Sequence, residues 1–146
     1  MKAKKCLSVA VFVSIVAVLV GQAFVMAENS EKTAAKSKLA VVWTSGDSEV
    51  AHKVCFMYTN AAKRAGWFDE VLLIVWGPSS RLLAGDKELE AKVKAMIEGG
   101  VVVQACVSCA DMYGVAESLR AMGIEVKPMG SPLSDILKAD WKVLTF

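Results

Sequence analysis

The sequence predicts an α/β domain of three layers, α/β/α, built on a five-stranded, mainly parallel sheet. Three observations carry this. Short apolar, β-branched runs alternate regularly with stretches of helical period, from a first strand near residue 39 to a closing strand at the carboxyl end. The runs are almost continuously apolar rather than alternating, as in strands covered on both faces. Stop residues (Gly66, Gly99-Gly100 and Gly123) fall where one pattern gives way to the next.

Leu39-Ala-Val-Val-Trp-Thr44 is the first strand, and Ser45-Gly-Asp-Ser48 is a turn in which Asp47 or Ser48 can cap a helix. From Glu49 to Ala65, Val50, Val54, Met57, Tyr58, Ala61 and Ala65 fall on one side, and Cys55, Phe56 and Ala62 widen the apolar arc. That width predicts a helix contacting more than the sheet. Phe68 to Trp76 is the second strand, and Gly77-Pro-Ser-Ser80 breaks it. Arg81 to Ala84 adds a turn of helix, and Asp86 caps a longer helix through Leu89, Val93, Met96 and Ile97. Val101 to Ala105 is the third strand, predicted to be covered on both faces.

Ser108-Cys-Ala-Asp111 fits a capping box opening one helix along Met112, Val115, Leu119 and Met122. Ile124 to Lys127 is a short fourth strand. Ser131 as N-cap and Pro132 at the first helical position open a helix reaching about Ala139. Trp141 to Phe146 closes the sheet. This arrangement is flavodoxin-like or Rossmann-like.

The first 27 residues read differently. Met1-Lys-Ala-Lys-Lys5 is basic, Leu7 to Val25 is an uncharged apolar run, and Val25-Met-Ala27 places small residues where a signal peptidase cuts. The expectation is a signal peptide over residues 1–27, a disordered lead-in over 28–38, and the α/β domain over 39–146, with the protein periplasmic or secreted. An uncleaved signal segment would be the only contact with a membrane. Cys6 leaves with the signal. Cleavage removes three lysines and takes the net charge from +2 to −1, which argues against electrostatic binding to nucleic acid. Cys55, Cys106 and Cys109 remain. An odd number cannot all pair within the chain, and spacing favours Cys106 with Cys109 for any disulfide.

The chemistry is expected at Cys106 and Cys109. Cys106 closes a strand at the carboxyl edge of the sheet, where open parallel sheets gather their sites, and Cys109 lies in the first turn of a helix. The partial positive charge of a helix start favours a thiolate. Four readings follow: a nucleophilic thiolate that carries sulfur as a persulfide, a dithiol–disulfide couple, half of a metal site shared between two chains, or a small apolar pair finishing a core. For the dithiol reading, Pro128 and Pro132 are candidates to face the pair, but the strand order does not match a thioredoxin unit. Within one chain no second cysteine pair or histidine pair completes a zinc site, so no metal and no cofactor are expected.

No glycine fingerprint follows the first strand and no phosphate loop is present, so neither a dinucleotide nor ATP is supported. The single histidine, His52, falls on the polar side of the first helix and reads as a solvated residue. It supports no Ser-His-Asp set. Cys55 reads as a buried, inert thiol. Ser45, Gly46, Gly77 and Pro78 lie at the same edge and are candidates to line a pocket through backbone amides. Tyr113 and Trp76 are placed to flank the cysteines.

From Leu39 to Phe146 the chain resembles the DsrE/DsrF-like sulfur-relay family. The resemblance rests on Val-Val-Trp-Thr-Ser-Gly at the first strand and Val-Trp-Gly-Pro at the end of the second. It rests also on Gly-Val-Val-Val-Gln-Ala-Cys-Val-Ser-Cys-Ala before a helix, and on the closing Pro-Leu-Ser-Asp-Ile-Leu-Lys-Ala-Asp-Trp-Lys-Val-Leu-Thr-Phe. It implies an α/β domain that associates into dimers, trimers or hexamers. It implies a cysteine at the end of the third strand, here Cys106, that carries persulfide sulfur received from a donor and passed to an acceptor protein. Cys109 matches a position that is cysteine in only some members. Two departures stand out: the sulfur-relay members work in the cytoplasm beside partner subunits, whereas this chain carries an export signal and no sign of those partners. Two functions follow for test, a sulfurtransferase-like persulfide carrier and a non-catalytic oligomeric binder of a small ligand.

Overall fold

The computed structural model describes residues 36–146. The expected signal segment, with Cys6, and most of the lead-in lie outside them. The described chain forms one sheet whose five strands are all parallel, in the order β4-β3-β2-β1-β5. The strands are β1 (Lys38–Trp43), β2 (Glu70–Val75), β3 (Val102–Cys106), β4 (Glu125–Lys127) and β5 (Trp141–Thr145). Helix α1 is a continuous run through Ser48–Val50, Ala51–Cys55 and Phe56–Arg64. It is followed by α2 (Pro78–Gly85), α3 (Lys87–Glu98), α4 (Val107–Met112), α5 (Ala116–Ala121) and α6 (Gly130–Lys138).

Strand order dictates how the layers fill. The steps from β1 to β2, β3 and β4 all run in one direction. Right-handed crossovers therefore place the connecting helices on one face. The larger core lies there, where Leu39, Val41, Trp43, Val71, Leu73 and Val75 meet α1, α2, α3 and α5. The return from β4 to β5 runs the opposite way across the whole sheet and puts α6 on the other face. The smaller core there joins Ala40, Val42, Leu72 and Ile74 to Met129, Ile136 and both motif cysteines.

This asymmetry corrects the expectation for β3. A nine-residue helix cannot cover five strands, so Val102 is 56% exposed. Burial on both faces holds for the interior strands β1 and β2, each buried over its last five residues. The edge strand β5 is largely exposed.

Asp47 and Asp86 cap as expected. Asp47 Oδ1 accepts from the Glu49 amide at 2.7 Å, and Asp86 Oδ1 accepts from the Glu88 and Leu89 amides at 2.9 and 3.1 Å. The buried side of α1 differs from the projected one. Ala51, Cys55, Phe56, Thr59 and Ala62 are buried, while Val54 is exposed and Met57 is 63% exposed. The cause is the segment Ala51–Cys55, which is π-helical; the Phe56 amide reaches back to the Ala51 carbonyl. A projection at regular α spacing does not carry across that wider turn.

The helix expected from Ser108 to Met122 is two helices. Gly114, at φ 68°, breaks it, and Met112 is exposed. The capping box does not form either: Cys106 is the N-cap of α4, with no side-chain cap bond. Likewise α6 starts at Gly130 behind Met129, not at Ser131, and has no side-chain cap bond.

Candidate functional site

Parallel register brings the carboxyl ends of β1, β2 and β3 to one edge, with Trp43 opposite Val75 and Val75 opposite Ala105. Three turns leave from that edge. After β1 the chain is tied down at once: the Thr44 and Ser45 amides donate to the Phe146 carbonyl at 2.7 and 3.1 Å. Ser45 Oγ accepts from the Asp47 amide at 3.1 Å. The Ser45 backbone amide is therefore engaged within the fold. After β2, Gly77 turns the chain into α2 at φ 70°, ψ −134°, a region that side-chain-bearing residues avoid, and Pro78 takes the first helical position. Gly46 passes close by; a Cβ there would meet Pro78 Cβ at 3.2 Å.

After β3, Cys106 hands the chain directly to α4, and Cys109 follows within its first turn. Cys106 and Cys109 are free thiols, 5% and 6% exposed, packed with Val42, Ile74 and Met129 on the face under α6. Trp76 packs against the same cluster. Burial pushes the Cys109 thiol above its ordinary range; the neighbouring Cys106 sulfur pushes the same way, and the nearby Gly77 backbone N–H opposes them. A helix start alone favours a thiolate. At Cys109 burial and the neighbouring sulfur outweigh it, and Cys109 keeps its proton. The pair therefore sets a protonated Cys109 near Cys106 at the end of β3.

The remaining candidates separate. Gly46 and Pro78 line a cavity of about 530 Å³ at this edge, together with Ser48, Arg81, Asp86 and Lys87. Tyr113 ends α4, where its ring lies under the Arg81 guanidinium, 5.2 Å from Cζ to the centroid. Sequence reasoning treated Arg81 only as part of a turn of helix. An arginine four residues after a glycine break at the sheet's carboxyl edge was the available signal. His52 is not the solvated residue expected; its side chain is 17% exposed and its Nδ1 lies 2.7 Å from Lys92 Nζ. It sits on α1, outside the cysteine cluster. Cys55 matches its reading: it is buried, and burial pushes its thiol up to about 12. Among the described residues no three histidine, cysteine or acidic side chains gather to hold a metal.

Comparison with known proteins follows the same outline. The family model described as DsrE/DsrF-like matches residues 36–146. A solved structure of a conserved protein of unknown function, BT1422 from Bacteroides thetaiotaomicron, is 32% identical. It superposes with a TM-score of 0.73 over 75% of this chain and 95% of its own. The ychN protein from E. coli is 18% identical, with a TM-score of 0.60 over 75% of this chain and 99% of its own, a likeness of fold. No curated protein matches.

Proposed function

The chain belongs to the DsrE/DsrF-like family, and from that premise we propose that it is an exported sulfur carrier, sulfurtransferase-like, acting through Cys106. One observation carries the reading: Cys106 ends β3 and caps α4, with Cys109 in the first turn of α4 and packed in the same cluster. In the loading step the Cys106 thiolate attacks the terminal sulfur of a persulfide donor. The new bond joins Cys106 Sγ to that sulfur, the donor's S–S bond breaks, and the donor leaves as a thiolate. In unloading, an acceptor thiolate takes the outer sulfur. Alternatively, Cys109, once deprotonated, attacks Cys106 Sγ, expels hydrosulfide and leaves a Cys106–Cys109 disulfide. The periplasmic or secreted location rests on the amino-terminal pattern of residues 1–27. Association into a homo-oligomer is supported by the exposed Val54 and Met57 on α1. Donor and acceptor proteins belong to the same proposal.

The test is the intact mass of the reduced protein before and after incubation with polysulfide, for wild type, Cys106→Ser and Cys109→Ser. Sulfur added to wild type and absent from Cys106→Ser is the expected result. Loading that persists in Cys106→Ser overturns the assignment.

Near-complete burial of both sulfurs favours a second reading, an oligomeric small-ligand binder whose cysteines only complete the packing, or a dithiol couple opened by a partner. No sulfur added to wild type, with slow thiol alkylation at neutral pH, would favour the binder. A disulfide formed reversibly without added sulfur would favour the couple.

A further inference from the structure

The sheet face under α6 is only partly covered. Val103 turns into the larger core, so Val102, next to it on β3, faces the other way. There it is exposed, although β3 is flanked by a strand on each side. A cavity of about 390 Å³ opens over it. Leu72 and Val102 of the sheet line this cavity with Pro132 and Ile136 of α6 and Trp141 at the start of β5. Side chains from two layers thus enclose a concave, largely apolar space within the size range of small-molecule sites.

The charges on its wall select no ion. Lys63 and Lys127 stand against Asp69 and Glu70, so the formal charges cancel. Each group is also engaged inside the chain. Lys63 Nζ donates to the Asp69 carbonyl at 3.0 Å, and the Asp69 carboxylate accepts from the Ser37 amide at 2.7 Å. Glu70 pairs with Lys38 at 3.2 Å, and Lys127 with Glu125 at 2.9 Å. The Gln104 amide, on the same wall, donates to Glu125 at 2.8 Å. What the cavity leaves without a partner is apolar surface, which an apolar body removes from water.

We propose that this cavity binds a small uncharged molecule with an aromatic or branched aliphatic body. The inference does not depend on what the thiols do, because it is read with no sulfur present.

Two fluorescent probes that share their rings and differ in charge test it, uncharged N-phenyl-1-naphthylamine and anionic 8-anilino-1-naphthalenesulfonate. Each is titrated into wild type, Val102→Glu, Val102→Trp and Met112→Glu. Wild type is expected to bind the uncharged probe saturably and more tightly than the sulfonate. Val102→Glu puts a charge on the cavity floor and Val102→Trp fills it, and at an exposed strand position both should keep the wild-type far-UV circular dichroism. Each should weaken the uncharged probe by about tenfold, the order of one lost side-chain contact. Met112→Glu, which removes an exposed apolar side chain outside the cavity, should bind as wild type does. Absence of saturable binding overturns the proposal, as does equal affinity in both folded Val102 variants. An equal loss in Met112→Glu overturns it too, because the probe would then report exposed apolar surface in general. A sulfonate that binds as tightly or more tightly overturns the uncharged class. A wild-type oligomer that Val102→Glu dissociates in sedimentation would put a second copy over this face, and overturns the small-molecule occupant.

Discussion

The Ser79 hydroxyl donates to the Trp43 carbonyl at 2.6 Å, tying the start of α2 to the last residue of β1. The same oxygen accepts from the Trp76 amide at 3.0 Å, so one buried side chain bonds to the chain at the ends of both β1 and β2. Its neighbour Ser80 is equally buried, and its Oγ has no partner. The two serines therefore predict opposite outcomes. Ser79→Ala removes its bonds to the Trp43 carbonyl and the Trp76 amide, which still bond each other at 3.0 Å, and should cost about 0.5–1.5 kcal/mol. Ser80→Ala removes a hydroxyl that gains nothing from burial and should be neutral or stabilising by up to about 1 kcal/mol. Urea midpoints of the two variants check this; equal losses would remove the distinction.

Gly77 carries a second prediction. Its backbone lies where a Cβ is strained, although open space surrounds that Cβ. Gly77→Ala should therefore destabilise by about 1–3 kcal/mol through conformation alone. Gly77 forms the turn that opens α2 at the sheet edge of the cysteines, so thiol alkylation kinetics should change with it. A variant as stable as wild type, with unchanged alkylation, would show that the turn is not fixed by this residue.

How far the sequence could be read follows from which forces are local. Strand runs, glycine stops and the caps at Asp47 and Asp86 depend on neighbours within a few residues, and all of them stand. Placement of Cys106 at a strand end followed from one apolar run and the motif after it. The capping box at Ser108 did not form because the chain turns into α4 two residues earlier, at Cys106 itself. The face of α1 was misplaced because nothing in its apolar spacing marks a π turn at Ala51–Cys55. Exposure of Val102 depends on strand order. Val101-Val-Val103 is as apolar as the run of β2, and only the return crossover decides that a single short helix lies opposite it. The Arg81–Tyr113 stack joins two helices separated by β3, and no periodicity within either could have announced it.

The exposed side of α1 predicts association. Val54 and Met57, three residues apart, present apolar surface on a helix whose opposite side is already buried. Sedimentation at micromolar concentration should find an oligomer for wild type. Met57→Glu should shift it toward monomer with little change in far-UV circular dichroism, because the side chain is outside the core. A monomeric wild type would count against the homo-oligomer.

Cys55 predicts how stability depends on pH. The folded chain holds this proton up to about 12, against an ordinary value of 9.0, because burial penalises the thiolate more than the Thr59 hydrogen bond favours it. A folded-state value raised in this way gives a contribution fully present below pH 9 that is lost as the pH climbs from 9 toward 12. By about pH 10 the loss should be about 1–2 kcal/mol. Cys109, also raised, adds a slope of the same sign. Urea midpoints at pH 8 and pH 10 should therefore fall for wild type and fall less for Cys55→Ala, whatever that variant loses in packing at both pH values. An unchanged difference between the two pH values in Cys55→Ala would mean that Cys55 releases its proton as readily folded as unfolded.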